Sequence, residues 1–243
     1  MTASEGIYQV GLKLLIESIP TISEPEQTIN AEMFLTMIWE DKRLAYEASN
    51  ISFRTNYTNF HRFSFWKPDV YIVNARKIIS PEIHVPAQLF RVYPNGTIRT
   101  SKKINFDFTC NMDFRNFPFD HQECPVKLES YAYTDEELML RIDDESVDFA
   151  EGLVLNKYDY EIKVKKPRSV LYHSGHFSRI EVDLILKRKI SYYLIQVYFP
   201  SAMFSILAYF ALLIPMEFVP GNLEFLGAKD CIRFVSIILQ GGL

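Results

Sequence analysis

Residues 190–216 contain no Asp, Glu, Lys, Arg or His. They are rich in Tyr, Leu, Phe and Ile. A helix rises about 1.5 Å per residue, so a run of this length is enough to cross a hydrocarbon layer of about 30 Å. Lys187, Arg188 and Lys189 stand just before it and Glu217 just after. Tyr192 and Tyr193 suit a membrane interface. Pro200 predicts a kink, which neighbouring helices tolerate inside a bilayer. The competing reading is a buried core helix, and length with absence of charge favours the membrane span. Beyond it, Glu224, Lys229, Asp230 and Arg233 interrupt the chain. Residues 234–239, apolar apart from Ser236, are the longest such run there and too few to span.

Before residue 190 the periodicity is two rather than 3.6. Tyr8, Val10, Leu12, Leu14 and Ile16 alternate with Gln9, Gly11 and Lys13, the pattern of a half-buried strand. Residues 19–27 hold two prolines and predict a turn, and residues 30–38 a second strand. Residues 50–61 are polar and predict a loop. Trp66-Lys67-Pro68-Asp69 leads into the strand Val70-Tyr71-Ile72-Val73. Asn95-Gly96 lies between two β-rich runs and predicts a hairpin. Further strands are expected at 104–109, around Val126 and Leu128, and around Ile162 and Val164. In a further strand Ile180, Val182, Leu184 and Leu186 point inward, and Arg179, Glu181, Asp183 and Lys187 outward. The fold class is therefore an all-β, immunoglobulin-like sandwich of about ten strands followed by one transmembrane helix. No helical pattern of useful length precedes residue 190.

The net charge of −4 gives no polybasic footprint for nucleic acid. No nucleophile–base arrangement, phosphate-binding loop or zinc-protease helix is present, so an enzyme is not expected, nor a cofactor. Asn50, Asn56 and Asn95 each open a glycosylation sequon. Sequons point to an extracellular setting, although MTASEGIYQVG is no signal-peptide pattern.

Cys110 and Cys124 enclose thirteen residues, among them Phe117-Pro118-Phe119-Asp120. Paired, they would close a loop worth about 3 kcal/mol. On spacing alone two buried free thiols are an equal alternative, and Cys231 is left over in either case. The spacing together with the F-P-F-D interior resembles the signature loop of the Cys-loop receptors, the pentameric ligand-gated ion channels. Other blocks agree: Trp39 with Asp41-Lys42-Arg43-Leu44, Trp66-x-Pro68-Asp69, and Leu186-Lys187-Arg188 at a strand end. Glu129-Ser130-Tyr131-Ala132-Tyr133-Thr134 resembles the anion-selective branch, which includes GABA and glycine receptors. Ile214-Pro215 and Val219-Pro220-Gly221 resemble invertebrate ligand-gated chloride channels, including histamine-, zinc- and proton-gated types.

That resemblance implies a Cys110–Cys124 disulfide and three segments. These are an extracellular ligand-binding domain at 1–189, a first transmembrane helix at 190–216 and a divergent tail at 217–243. It implies a plasma-membrane protein, synapses included, assembled with other subunits as a homo- or hetero-pentamer. A small agonist (an amine, an amino acid, or zinc or protons) would bind between subunits. The principal face would use Tyr71, Glu129, Ser130, Tyr131, Tyr172, Ser174 and Phe177, and the complementary face Phe34 and Thr36. Aromatic faces suit an ammonium, worth about 2 kcal/mol when buried. Thr36 stands where subunits that bind amino-acid transmitters carry an arginine, so a carboxylate would lack its bidentate partner there. His173 and His176 are weak metal or proton candidates, two loop histidines being the commoner outcome. Coupling would run through Phe117, Pro118, Asp120 and Arg188. The family's pore helix has no counterpart in this sequence, and Asn222 stands where its entry arginine would be. The tail is accordingly expected to be a truncated, alternatively spliced or mispredicted end, in a chain that does not conduct alone. A secreted ligand-binding protein of the same fold is the alternative, which the charge-free run opposes. An adhesion-type immunoglobulin sandwich is disfavoured because its disulfide spans far more residues.

Overall fold

The computed structural model describes residues 7–45, 66–81 and 88–213. The Asn50 and Asn56 sequons, Ile214-Pro215, Val219-Pro220-Gly221, Cys231 and the 217–243 tail lie outside the described residues.

Twelve strands form two sheets among the described residues. The larger joins β1 (Tyr8–Ser23), β2 (Thr28–Glu40), β4 (Ala75–Ile79), β5 (Gln88–Val92), β6 (Thr97–Thr109), β8 (Leu138–Arg141) and β9 (Val147–Phe149). Its spine runs β4-β6-β2-β1-β8, with β5 also on β6 and β9 also on β1. The smaller sheet joins β3 (Val70–Ile72), β7 (His121–Ser130), β10 (Tyr158–Val164), β11 (Arg168–Tyr172) and β12 (Gly175–Arg188), in the order β10-β12-β7-β3 with β11 on β12. The alternating apolar rows supply the core. Leu12, Ile29, Ile98, Phe106 and Phe108 from one sheet and Leu128, Ile180 and Leu186 from the other are wholly buried. This is the sandwich the alternation predicts, with twelve strands where about ten were expected.

The predicted turn at 19–27 shrinks to residues 24–27, because β1 continues to Ser23. Register shifts between Ile16 and Ser18 and between Ser18 and Thr21 carry the strand past Pro20, which has no amide hydrogen to give a ladder. The outward row predicted on β12 is also corrected. Arg179, Glu181 and Asp183 are buried, and only Lys187 is exposed. Arg168 covers Glu181 at 2.5 Å, Lys165 covers Asp183 at 2.8 Å, and Arg179 has its own partner in Glu129. Charges on that face are removed from water by pairing.

The chain divides into two compact units. One holds 1–112, 122–155 and 160–186, and the other 113–121, 156–159 and 187–243. In the second, α1 (Ile190–Tyr193) passes through a π-helical turn at Leu194–Tyr198 into α2 (Phe199–Leu213). Pro200 follows that turn closely. A proline lacks the amide that would close the regular ladder, and the wider turn absorbs the mismatch. Ile190–Phe210 is one helix of 21 residues, long and apolar enough to cross a membrane.

Candidate ligand-binding and coupling sites

In the first unit, β3 and β7 pair so that Tyr71 lies directly opposite Glu129. Tyr131 meets Tyr71 edge to face at 5.6 Å, and Tyr172 meets Phe177 likewise at 5.7 Å. Glu129 is 2% exposed, and the Nε and Nη2 atoms of Arg179 both reach its Oε2, each at 2.7 Å. Arg179 Nη2 also donates to the Tyr172 hydroxyl, which in turn donates to Glu129 Oε2 at 3.5 Å. The guanidinium lies 5.8 Å from the Tyr172 ring centre. Among the described residues no donor reaches Glu129 Oε1. Burial, and next the Glu129 charge, push the Tyr71 phenol above its usual value.

The hairpin of β11 and β12 turns through His173-Ser174, with Tyr172 opposite Gly175. Gly175 has φ +132°, and a Cβ there would come within 3.3 Å of the Thr134 methyl, so the tight turn needs glycine. His176 Nδ1 lies 3.3 Å from Ser169 Oγ, which donates to Asp135 at 2.5 Å. Among the described residues no group of three or more His, Cys, Asp or Glu is placed to hold a metal ion. The Ser130 hydroxyl donates to Asp69 at 2.6 Å and accepts from Tyr133 N–H, which makes it a brace for the loop. Ser174 occupies the exposed hairpin turn.

Phe34 and Thr36 stand elsewhere, on β2 of the larger sheet. Phe34 faces Lys103 across the ladder, with the ammonium 5.7 Å from the ring centre. Thr36 faces Ser101 and donates to its hydroxyl at 3.0 Å. Lys103 pairs with Glu17 and, at 3.5 Å, with Glu32, and its pKa is raised chiefly by Glu17.

The second unit is built around Arg188. The loop closed by the Cys110–Cys124 disulfide, whose two wholly buried cysteines belong to the first unit, contributes residues 113–121 with their cis Phe117–Pro118 bond. Arg188 forks onto Asp120, Nε to Oδ1 at 2.6 Å and Nη2 to Oδ2 at 3.0 Å. Nη1 donates to the Tyr193 hydroxyl at 2.5 Å. The rings of Phe117, Tyr158, Tyr193 and Phe114 surround the guanidinium at 4.8, 4.9, 5.2 and 6.0 Å. Lys189 N–H donates to Lys157 C=O, and Lys189 Nζ pairs with Asp159 at 3.2 Å. The bidentate geometry and full burial make this a strong, directional contact.

Residues 2–190 match the family model for the neurotransmitter-gated ion-channel ligand binding domain. The chain belongs to the Cys-loop receptor family. Its similarity to gamma-aminobutyric acid receptor subunits places it in the GABA-receptor-like branch. It is 33% identical over 233 residues to subunit rho-2 of Homo sapiens, covering 94% of this chain and 50% of that protein. It is 32% identical over 232 residues to rho-2 of Rattus norvegicus, covering 94% and 50%. It is 31% identical over 201 residues to subunit theta of Mus musculus, covering 82% and 31%. The chain thus spans about half the length of the rho-2 relatives and about a third of theta. Cys-loop receptors are ligand-gated channels and not enzymes.

Arg179, Tyr158 and Tyr193 are the residues that sequence reasoning missed. Alternation put Arg179 outward. Only the packing of β12 beside β7 reveals that it faces Glu129.

Proposed function

We propose that this chain is a subunit of a ligand-gated chloride channel that binds an amine-bearing agonist between subunits. Residues 1–189 form the extracellular ligand-binding domain, 190–216 the first transmembrane helix and 217–243 the tail, in a plasma-membrane pentamer. The observation that carries this reading is Glu129. Its Oε2 is held by Arg179, while Oε1 remains for a ligand's ammonium beside the rings of Tyr71, Tyr131 and Tyr172. A buried carboxylate beside aromatic rings, of which Tyr131 and Tyr172 are exposed, favours a cation through charge-assisted hydrogen bonding and cation–π attraction. A neighbouring subunit would add Phe34 and Thr36. Asn95 lies exposed in its hairpin turn and accepts an N-glycan in this setting.

Coupling runs through the Arg188 unit. The sandwich strand ends at Arg188, the helix begins at Ile190, and Arg188 ties Asp120 of the Cys loop to Tyr193 of the first helical turn. A movement of the loop is thereby passed to the helix. The test is agonist-evoked chloride current and equilibrium amine binding in cells expressing the receptor at their surface. Glu129→Gln should weaken binding roughly tenfold to a hundredfold. An amine response that survives Glu129→Gln unchanged contradicts the proposal.

A further inference from the structure

A second chain of polar groups lies on the other side of the β11–β12 hairpin from Glu129. Strand side chains alternate between faces. Tyr172 and Phe177, whose rings touch, share the face of Glu129, and Ser169, Leu171, His176 and Ser178 share the opposite one. On that opposite face three groups meet from three segments. Ser169 Oγ of β11 donates to Asp135 Oδ2 at 2.5 Å, and His176 Nδ1 of β12 lies 3.3 Å from the same hydroxyl. Asp135 N–H also donates to His176 C=O at 2.9 Å.

The protons along this chain follow from its geometry. A carboxylate only accepts, so the single hydroxyl proton of Ser169 goes to Asp135. Towards His176 the serine can then only accept, and Nδ1 must carry a proton. The bonds therefore run in one direction, from His176 to Ser169 to Asp135.

The Asp135 end is anchored. Glu137 N–H and Leu138 N–H close a turn on Thr134 C=O at 3.0 and 2.8 Å. The Glu137 carboxylate accepts from Thr134 N–H at 3.2 Å, and Glu137 C=O accepts from Tyr8 N–H at 2.9 Å, which ties the turn to β1. The hairpin has less support of its own. Among the described residues β11 pairs with β12 alone, and Ser169, Leu171 and Tyr172 are exposed. A hairpin held at one edge opens locally unless something else fixes it.

We infer that Asp135, Ser169 and His176 form a latch that positions the β11–β12 hairpin, and with it Tyr172 beside Glu129. All three are positioning residues, acting on the ligand through Tyr172. Only the effect on ligand affinity rests on the agonist reading above.

The test combines spectra and amide exchange of the purified full chain with butylamine binding to the receptor at the cell surface. Nitrogen-15 histidine spectra in mildly alkaline buffer, with the His176 signal assigned by its loss in H176Q, should show the ring proton on Nδ1. In D135A the Ser169 hydroxyl is free to donate to Nδ1, so the proton should move to Nε2. S169A should speed amide exchange in residues 170–177 about threefold to tenfold, and S169T, which keeps the hydroxyl, should restore the wild-type rate. Butylamine affinity should fall by a similar factor in S169A and recover in S169T. A wild-type ring proton on Nε2, or exchange unaltered by S169A, overturns the latch. Faster exchange with butylamine affinity unchanged overturns its positioning role. If butylamine fails to bind wild type, the agonist reading falls, and the ring proton and the exchange rates still decide the latch.

Discussion

Two arginines of strand β12 pair with carboxylates, and the two pairs are built in opposite ways. Arg188 forks onto both oxygens of Asp120, four aromatic rings enclose it, and its side chain is 0% exposed. Arg179 brings two nitrogens to a single oxygen of Glu129, and its side chain is 10% exposed. In the first pair every lone pair facing the cation is used, so the contact transmits position. In the second, one carboxylate oxygen is left over, so the contact can admit a third party. The same two residue types thus serve coupling where the fork is closed and recognition where it is half open. The difference comes from what surrounds each pair: a loop tied down by a disulfide for Arg188, and a short hairpin ending in Tyr172 for Arg179.

The contrast breaks first at Arg188. Arg188→Ala leaves Asp120 buried without its cation and should cost about 3–5 kcal/mol in denaturant unfolding. Pairing it with Asp120→Leu should recover much of that loss, because a buried charge no longer stands alone. A double variant as unstable as Arg188→Ala would show that the arginine acts through its ring contacts and not through the ion pair.

Glu129→Gln keeps the shape and removes the charge. Amine affinity should fall roughly tenfold to a hundredfold, as expected for a charge-assisted hydrogen bond, while unfolding shifts far less. An affinity loss matched by an equal stability loss would make Glu129 a structural partner of Arg179 only. Tyr193→Phe keeps the ring and drops the hydroxyl that accepts from Arg188. It should cost about 1.5 kcal/mol or somewhat less in stability and reduce evoked current without changing amine affinity.

The smallest expected effect concerns Tyr71. Its raised pKa means the folded chain favours the neutral phenol, so the associated stability is present below the ordinary tyrosine range near pH ~10 and is lost above it. In Glu129→Gln, absorbance titration should move Tyr71 down towards that range without reaching it, because burial is the larger cause. A titration unchanged in Glu129→Gln would mean that the carboxylate exerts no field at the phenol.

Much of this contrast could be read before any coordinates. The alternation of Val10, Leu12 and Leu14 and of Ile180, Val182 and Leu184 carries the sandwich, and the charge-free run carries the helix. Asp120 and Arg188 were legible because the Cys110–Cys124 motif and the strand end flank fixed sequence marks. Arg179 was not, because period-two alternation assigns a face and says nothing about a neighbouring strand that covers that face. Pro20 misled for the same reason: a local breaker was absorbed by bulges whose stability comes from the pairing of β1 with β2. The crowding of rings around Arg188 depends on Tyr158 and Tyr193, which are distant from the Cys loop in sequence and carry no mark that assigns them to it.

The division of labour between the two pairs is tested most directly by measuring amine binding and evoked current on the same cells for Arg188→Glu. Asp120 would then face a like charge, which should uncouple the loop from the helix. The expected result is amine affinity within about threefold of wild type, well short of the 1.4 kcal/mol that a tenfold change represents, together with loss of evoked current at equal surface expression. Unchanged current, or binding lost along with it, would contradict the assignment of transmission to Arg188 and recognition to Glu129.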